Sequence, residues 1–143
     1  MDLPISTEDL TRLYRFALLL TGDEGAAQQV LYDACADSAA RLGGYRNEDQ
    51  QVACLMGAVR LRAKTVPAPG NGDARAIVRG FVTLPEEERA ALAGLYAGLL
   101  PARLLAEALK MSLEEMGKAL KNARERLELA GLQMGEPSLE QAL

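Results

Sequence analysis

The chain has 143 residues, of which 49% are hydrophobic and only 4% aromatic, with no Trp. That length suits one ordinary domain or two very small ones, with a core built from aliphatic side chains and Ala. There is no His, which excludes Ser-His-Asp and Cys-His catalysis and histidine metal sites, and a formal charge of −4 disfavours broad non-specific binding to nucleic acid.

Ala and Leu dominate while Val, Ile and Thr are sparse, so the predicted class is all-α. The two cysteines, Cys35 and Cys54, form no CxxC and read as buried thiols in a reducing cytosol. No run approaches the ~20 apolar residues of a membrane span. The start, Met1-Asp2-Leu3-Pro4, has no basic stretch ahead of an apolar one, so neither a signal peptide nor a membrane partner is expected.

The first helix is predicted to begin at Ser6 or Thr7, where Ser6-x-x-Asp9 resembles a capping box, and to stop at Thr21-Gly22-Asp23. Leu10, Leu13, Tyr14, Ala17, Leu18 and Leu20 form its apolar stripe. The second runs from about Asp23 to Arg41, burying Ala27, Val30, Leu31, Ala34 and Cys35, and ends at Gly43-Gly44. Asn47-x-x-Gln50 caps a third, which carries Val52, Leu55, Met56 and Val59 to about Lys64.

Two prolines and two glycines between Pro67 and Gly72 continue neither helix nor strand. They divide the chain into a three-helix domain at 1–64, a linker at 65–73, a second helical domain at 74–130 and a loose tail at 131–143. In the second part a short helix is predicted from Ala74 to Val82, with Ile77, Val78 and Phe81 inward. Pro85 suits the first position of the next helix, and Glu86, Glu87 and Glu88 complement its dipole. Leu92, Leu95 and Tyr96 face inward up to Gly98. A further short helix covers about Pro101 to Leu109, and Leu99-Leu100 with Leu104-Leu105 read as core or as packing between the two parts, with a partner groove as the alternative. Ser112-x-x-Glu115 caps the last helix, lined by Leu113, Met116, Leu120, Ala123 and Leu127 and stopped at Gly131. The last two helices and their short turn have the spacing of a helix-turn-helix, and equally of two helices of a bundle.

Several clusters carry no chemistry on this reading. Asp33 and Asp37 share a helix face without an identifiable partner for acid–base work. Gly70-Asn71-Gly72 lacks the Lys-Ser/Thr of a phosphate-binding loop. No catalytic group, metal site or cofactor site stands out, so the expectation is a protein without a cofactor that is not an enzyme.

The run Leu84-Pro85-Glu86-Glu87-Glu88-Arg89-Ala90-Ala91-Leu92 resembles the start of the C-terminal domain of bacterial extracytoplasmic-function sigma factors. Leu105-Ala106-Glu107-Ala108-Leu109, the cap Ser112 and the closing Ala123-Arg124-Glu125-Arg126-Leu127 are similar to the same domain without a gap. Tyr14 to Asp23 is similar to the first helix of the family's N-terminal domain, so the resemblance covers about Leu10 to Leu127. It implies two small helical domains, the second with a helix-turn-helix.

The departures carry as much information. The family's polymerase-docking segment reads Ala27-Gln28-Gln29-Val30-Leu31-Tyr32-Asp33 here. It keeps one acid and marks Gln28, Gln29, Tyr32 and Asp33 as the polymerase- or partner-binding candidates. The Trp and Asn of the promoter-melting helix correspond to Cys54 and Leu61. Losing the aromatic removes a base-stacking surface worth ~1–3 kcal/mol per base. On the recognition helix Glu114, Glu115, Gly117, Ala119 and Asn122 replace small, basic or hydroxyl residues, and Lys110 takes the turn position usually given to Gly. Lys118, Lys121 and Arg124 are the remaining candidates for DNA-backbone contact.

The resemblance with these departures implies a cytoplasmic, sigma-like regulator acting mainly through protein contacts. Its partner would be an anti-sigma factor or core RNA polymerase, with weakened DNA binding and an open oligomeric state. The alternatives are an active sigma factor of this class and a helical interaction protein of unrelated role.

Overall fold

The computed structural model describes residues 5–67 and 76–131. These contain seven helices and no strand: α1 (Thr7–Thr21), α2 (Glu24–Leu42), α3 (Glu48–Ala63), α4 (Ala76–Phe81), α5 (Glu86–Ala97), α6 (Ala102–Ala108) and α7 (Leu113–Leu129). Among the described residues no helix is long and apolar enough to cross a membrane. Most of the predicted linker, the start of the predicted helix at Ala74, and the predicted tail beyond Gly131 lie outside the described residues.

Side-chain caps set the starts of four helices. Ser6, Asp23, Asn47 and Ser112 each accept a backbone N–H from three residues on, and Ser112 completes a capping box with Glu115. Asp23 therefore caps α2 instead of opening it. Pro85 and Pro101 stand one position earlier than a first-turn proline. Their ψ values of 150° and 154° are extended, and Glu86 and Ala102 open the helices. Gly22 and Gly98 end α1 and α5 in the left-handed conformation, at φ 75° and 69°.

α1 is the central element. Leu13, Phe16, Ala17 and Leu20 are buried, and α1 packs against α2, α3, α4 and α5. The buried residues of α1–α3 and α4–α7 belong to one continuous hydrophobic cluster. α1 meets α5 and α3 meets α6 directly, so the two halves share their core. Leu99, Leu100 and Leu105 are buried in that core.

Side chains of α6 and α3 press close on the backbone of α5 at Gly94. A Cβ there would fall 2.6 Å from Leu105 Cδ1 of α6 and 3.3 Å from Met56 Cε of α3. Two expected core residues lie at the surface instead. Tyr96 is half exposed, its ring edge-on to Phe81 at 5.9 Å. Leu113, the first residue of α7, is turned outward because inward packing begins with Met116.

Candidate functional site

On α2, Ala27, Val30 and Ala34 pack inward, which leaves Gln28, Gln29 and Tyr32 on the exposed side. Tyr32 is 66% exposed, unusual for a side chain of its size. One turn apart, Gln29 Nε2 donates to Asp33 Oδ1 at 2.9 Å. Arg62 of α3 lies 3.7 Å from Asp33 and binds Asp37 through Nε at 2.9 Å. The structure thus brings Gln28, Gln29, Tyr32 and Asp33 together on one helix and gives both aspartates a cation. Sequence reasoning missed that cation because Arg62 lies 25 residues beyond Asp37.

On α7, Lys118 and Lys121 are exposed, whereas Arg124 is half-buried and lies 4.0 Å from Glu128. Arg126 is tied to Glu88 of α5 at 2.9 Å. Glu115 accepts the Ser112 backbone N–H at 3.1 Å. That bond and the Ser112 hydroxyl hold its carboxyl below the ordinary range. Glu115 is a helix cap, so Glu114 is the remaining uncommitted acid of that first turn. The α2 patch and the α7 cations stay apart, since α2 packs on α1 and α3, and α7 on α5 and α6.

The turn before α7 is a Schellman motif. Met111 N–H donates to Ala106 O at 2.9 Å and Lys110 N–H to Glu107 O at 3.1 Å. Lys110 holds the left-handed position at φ 58°, the only non-glycine among the described residues to do so. The sequence marked this position as one needing either that conformation or another turn, and the first is observed.

A polar junction joins the halves. Arg60 of α3 pairs with Glu86 at the start of α5 and donates from Nη1 to Leu109 O, at the end of α6, at 2.9 Å. Lys64 reaches the same Glu86 carboxylate at 3.5 Å. The Arg60 hydrogen bond holds the Glu86 carboxyl below its usual range, against the opposing effect of burial. Beside it, Arg89 donates to the carbonyls of Leu20 at 3.0 Å, Val82 at 3.0 Å and Leu84 at 2.8 Å. Burial pushes the Arg89 guanidinium down, and Glu86 opposes the shift. Arg89 Nε is buried without a partner among the described residues, and Arg89 lines a small pocket of about 30 Å3 together with Arg60, Lys64 and Glu86, room for one water.

Of the two cysteines, Cys35 is buried, which raises its thiol pKa, while Cys54 is half-buried and free. Leu61 is 68% exposed and Cys54 lies next to Tyr45. The thiol interaction holds the Tyr45 phenol above its ordinary value. An aromatic therefore sits beside this point, supplied from the α2–α3 connection, a placement no motif in the sequence signals. Among the described residues no group of three or more metal-ligating side chains is assembled. Comparison with family models, curated proteins and solved structures returns no match.

Proposed function

We propose that this chain is a sigma-factor-like transcription regulator that acts mainly through protein–protein contacts, as a mimic for an anti-sigma factor or as a ligand of core RNA polymerase, with weakened DNA binding. In this reading the two halves are the sigma-like domains, and α6, its turn and α7 are the helix-turn-helix. The exposed Tyr32 flanked by Gln28 and Gln29 carries the proposal, because it leaves a large amphipathic anchor at the surface where the resembling family docks. On α7 the charges favour a partner over a template. Arg124 and Arg126 are engaged by carboxylates, and Glu114 stands in the first turn. Exposed Lys118 and Lys121 favour the second reading, an active sigma factor that binds promoter DNA.

Gel-shift titration with promoter duplex across salt concentrations separates the two. Weak binding without sequence preference supports the partner reading. Sub-micromolar, sequence-specific binding with a steep salt slope supports the active sigma factor.

A further inference from the structure

An open cleft of about 590 Å3 is walled by α2, α3 and the α6–α7 turn. Five cations line it, Arg41, Arg60, Arg62, Lys64 and Lys110, against a single carboxylate, Asp37. In a chain of net charge −4 this is a local concentration of the opposite sign. Arg60 and Arg62 are occupied by Glu86, Asp33 and Asp37. Among the described residues Arg41 makes no ion pair, donating to the Ser38 hydroxyl at 3.5 Å and lying near Tyr45, Lys64 shares Glu86 at 3.5 Å, and Lys110 has no ion pair. Two to three positive charges are therefore unmatched.

Two residues of this cleft run against local preference without benefit to the fold. Lys110 takes a left-handed position, at φ 58°, where Gly is unstrained and an L-residue is not. Gly57 lies in the interior of α3, yet a Cβ there would meet nothing within 4 Å. Packing does not require that glycine, although glycine weakens a helix interior. Both choices make sense if the cleft is occupied: Gly57 keeps its wall clear, and Lys110 aims a charge where glycine has none. Such conflicts between local rule and fold are expected at functional sites. Tyr45, 37% exposed, and Leu61 supply aromatic and apolar surface beside the cations.

We infer that this cleft binds a nucleoside diphosphate, its phosphates on Arg41, Lys64 and Lys110 and its base against Tyr45. The charge matches, the volume falls in the range of small-ligand sites, and a cation beside an aromatic is what a phosphorylated base requires. A nucleotide within a single strand offers the same chemistry, but the cleft has room and unmatched charge for one nucleotide. Gln28, Gln29, Tyr32, Lys118 and Lys121 do not line it, so loss of this ligand and loss of a protein partner are separable.

Isothermal titration of the full chain with ADP, with inorganic pyrophosphate and with a single-stranded oligonucleotide of about ten nucleotides tests this assignment. ADP is expected to saturate one site, at least about fivefold more tightly than pyrophosphate, the difference being base stacking. Lys110→Ala and Arg41→Ala each weaken ADP by about tenfold, the effect of one charge-assisted hydrogen bond. Gly57→Leu abolishes binding while Tm stays level or rises, and the two charge variants decide the matter if Gly57→Leu fails to fold. The assignment is overturned if ADP gives no heat at millimolar concentration, if pyrophosphate binds as tightly as ADP, if Lys110→Ala has no effect, or if the oligonucleotide binds far more tightly than ADP.

Discussion

Arg60 of α3 donates from Nε and Nη2 to the two carboxylate oxygens of Glu86 at the start of α5, at 2.7 and 2.9 Å. The fork geometry and the third bond to Leu109 O make one guanidinium the common partner of α3, α5 and the end of α6. The Arg60 side chain is 16% exposed and that of Glu86 36%. Solvent screening therefore keeps the Glu86 contribution modest, and Glu86→Gln is expected to destabilise by about 1 kcal/mol. Arg60→Met leaves the Leu109 carbonyl without its donor and Glu86 with Lys64 alone at 3.5 Å, so about 1–2 kcal/mol is expected. Urea midpoints at constant m-value give both numbers, and equal midpoints for Arg60→Met and the parent chain would refute the role of the junction.

Glu86 also sets an acid dependence. Its folded pKa lies below the ordinary value of 4.5 because Arg60 stabilises the charged form. The stability it contributes is fully present above that ordinary value and is lost as pH falls through the lower, folded value. Melting temperature should decline as pH drops below about 4.5, and Glu86→Gln should flatten part of the slope. Glu115 acts in the same direction through its cap, so the Glu115→Gln chain serves as the comparison. An identical acid slope in parent and Glu86→Gln chains would count against the pairing.

Two helical glycines are expected to respond with opposite signs. Gly57→Ala adds a methyl in open space and should stabilise by about 0.5–1 kcal/mol. Gly94→Val inserts bulk where a Cβ already falls 2.6 Å from Leu105 Cδ1, and should destabilise by about 2 kcal/mol. Thermal melts of the two variants side by side check the shared core, since Gly94 touches side chains from α6 and from α3.

Lys110→Gly relieves the left-handed strain at φ 58°. The unfolded chain gains entropy in return, so a net stabilisation of about 0.5 kcal/mol is expected, seen as a small rise in Tm. A fall in Tm would mean that the Lys110 side chain supports the turn itself.

Legibility in the sequence followed locality. The caps at Ser6, Asn47 and Ser112 and the stops at Gly22 and Gly98 act over a few residues, and their residue types name them. Asp23 and the two prolines were readable as helix starts but not to the exact position, because extended and first-turn placements suit the same residue. The Arg60–Glu86 and Arg62–Asp37 pairs span 26 and 25 residues and leave no spacing signal. The Pro/Gly run marks where the helices pause, but it carries no information on whether α1 and α5 meet. On α2, helical periodicity marks Ala27, Val30 and Ala34 as the buried face, while only the family resemblance singles out Gln28, Gln29 and Tyr32. The cleft was not legible, because Tyr45, Gly57 and Lys110 come from three separate segments.

Under the proposed function, Tyr32 and its neighbours bind a protein partner more strongly than α7 binds DNA. The most direct test is the equilibrium affinity of the chain and of Tyr32→Ala for purified core RNA polymerase, an anti-sigma factor and promoter duplex at one fixed salt concentration. The account predicts sub-micromolar binding to one of the two proteins, a loss of about tenfold or more in Tyr32→Ala, and weaker, non-specific binding to the duplex. Sub-micromolar, sequence-specific binding to the duplex that Tyr32→Ala leaves unchanged, with neither protein bound, would contradict it.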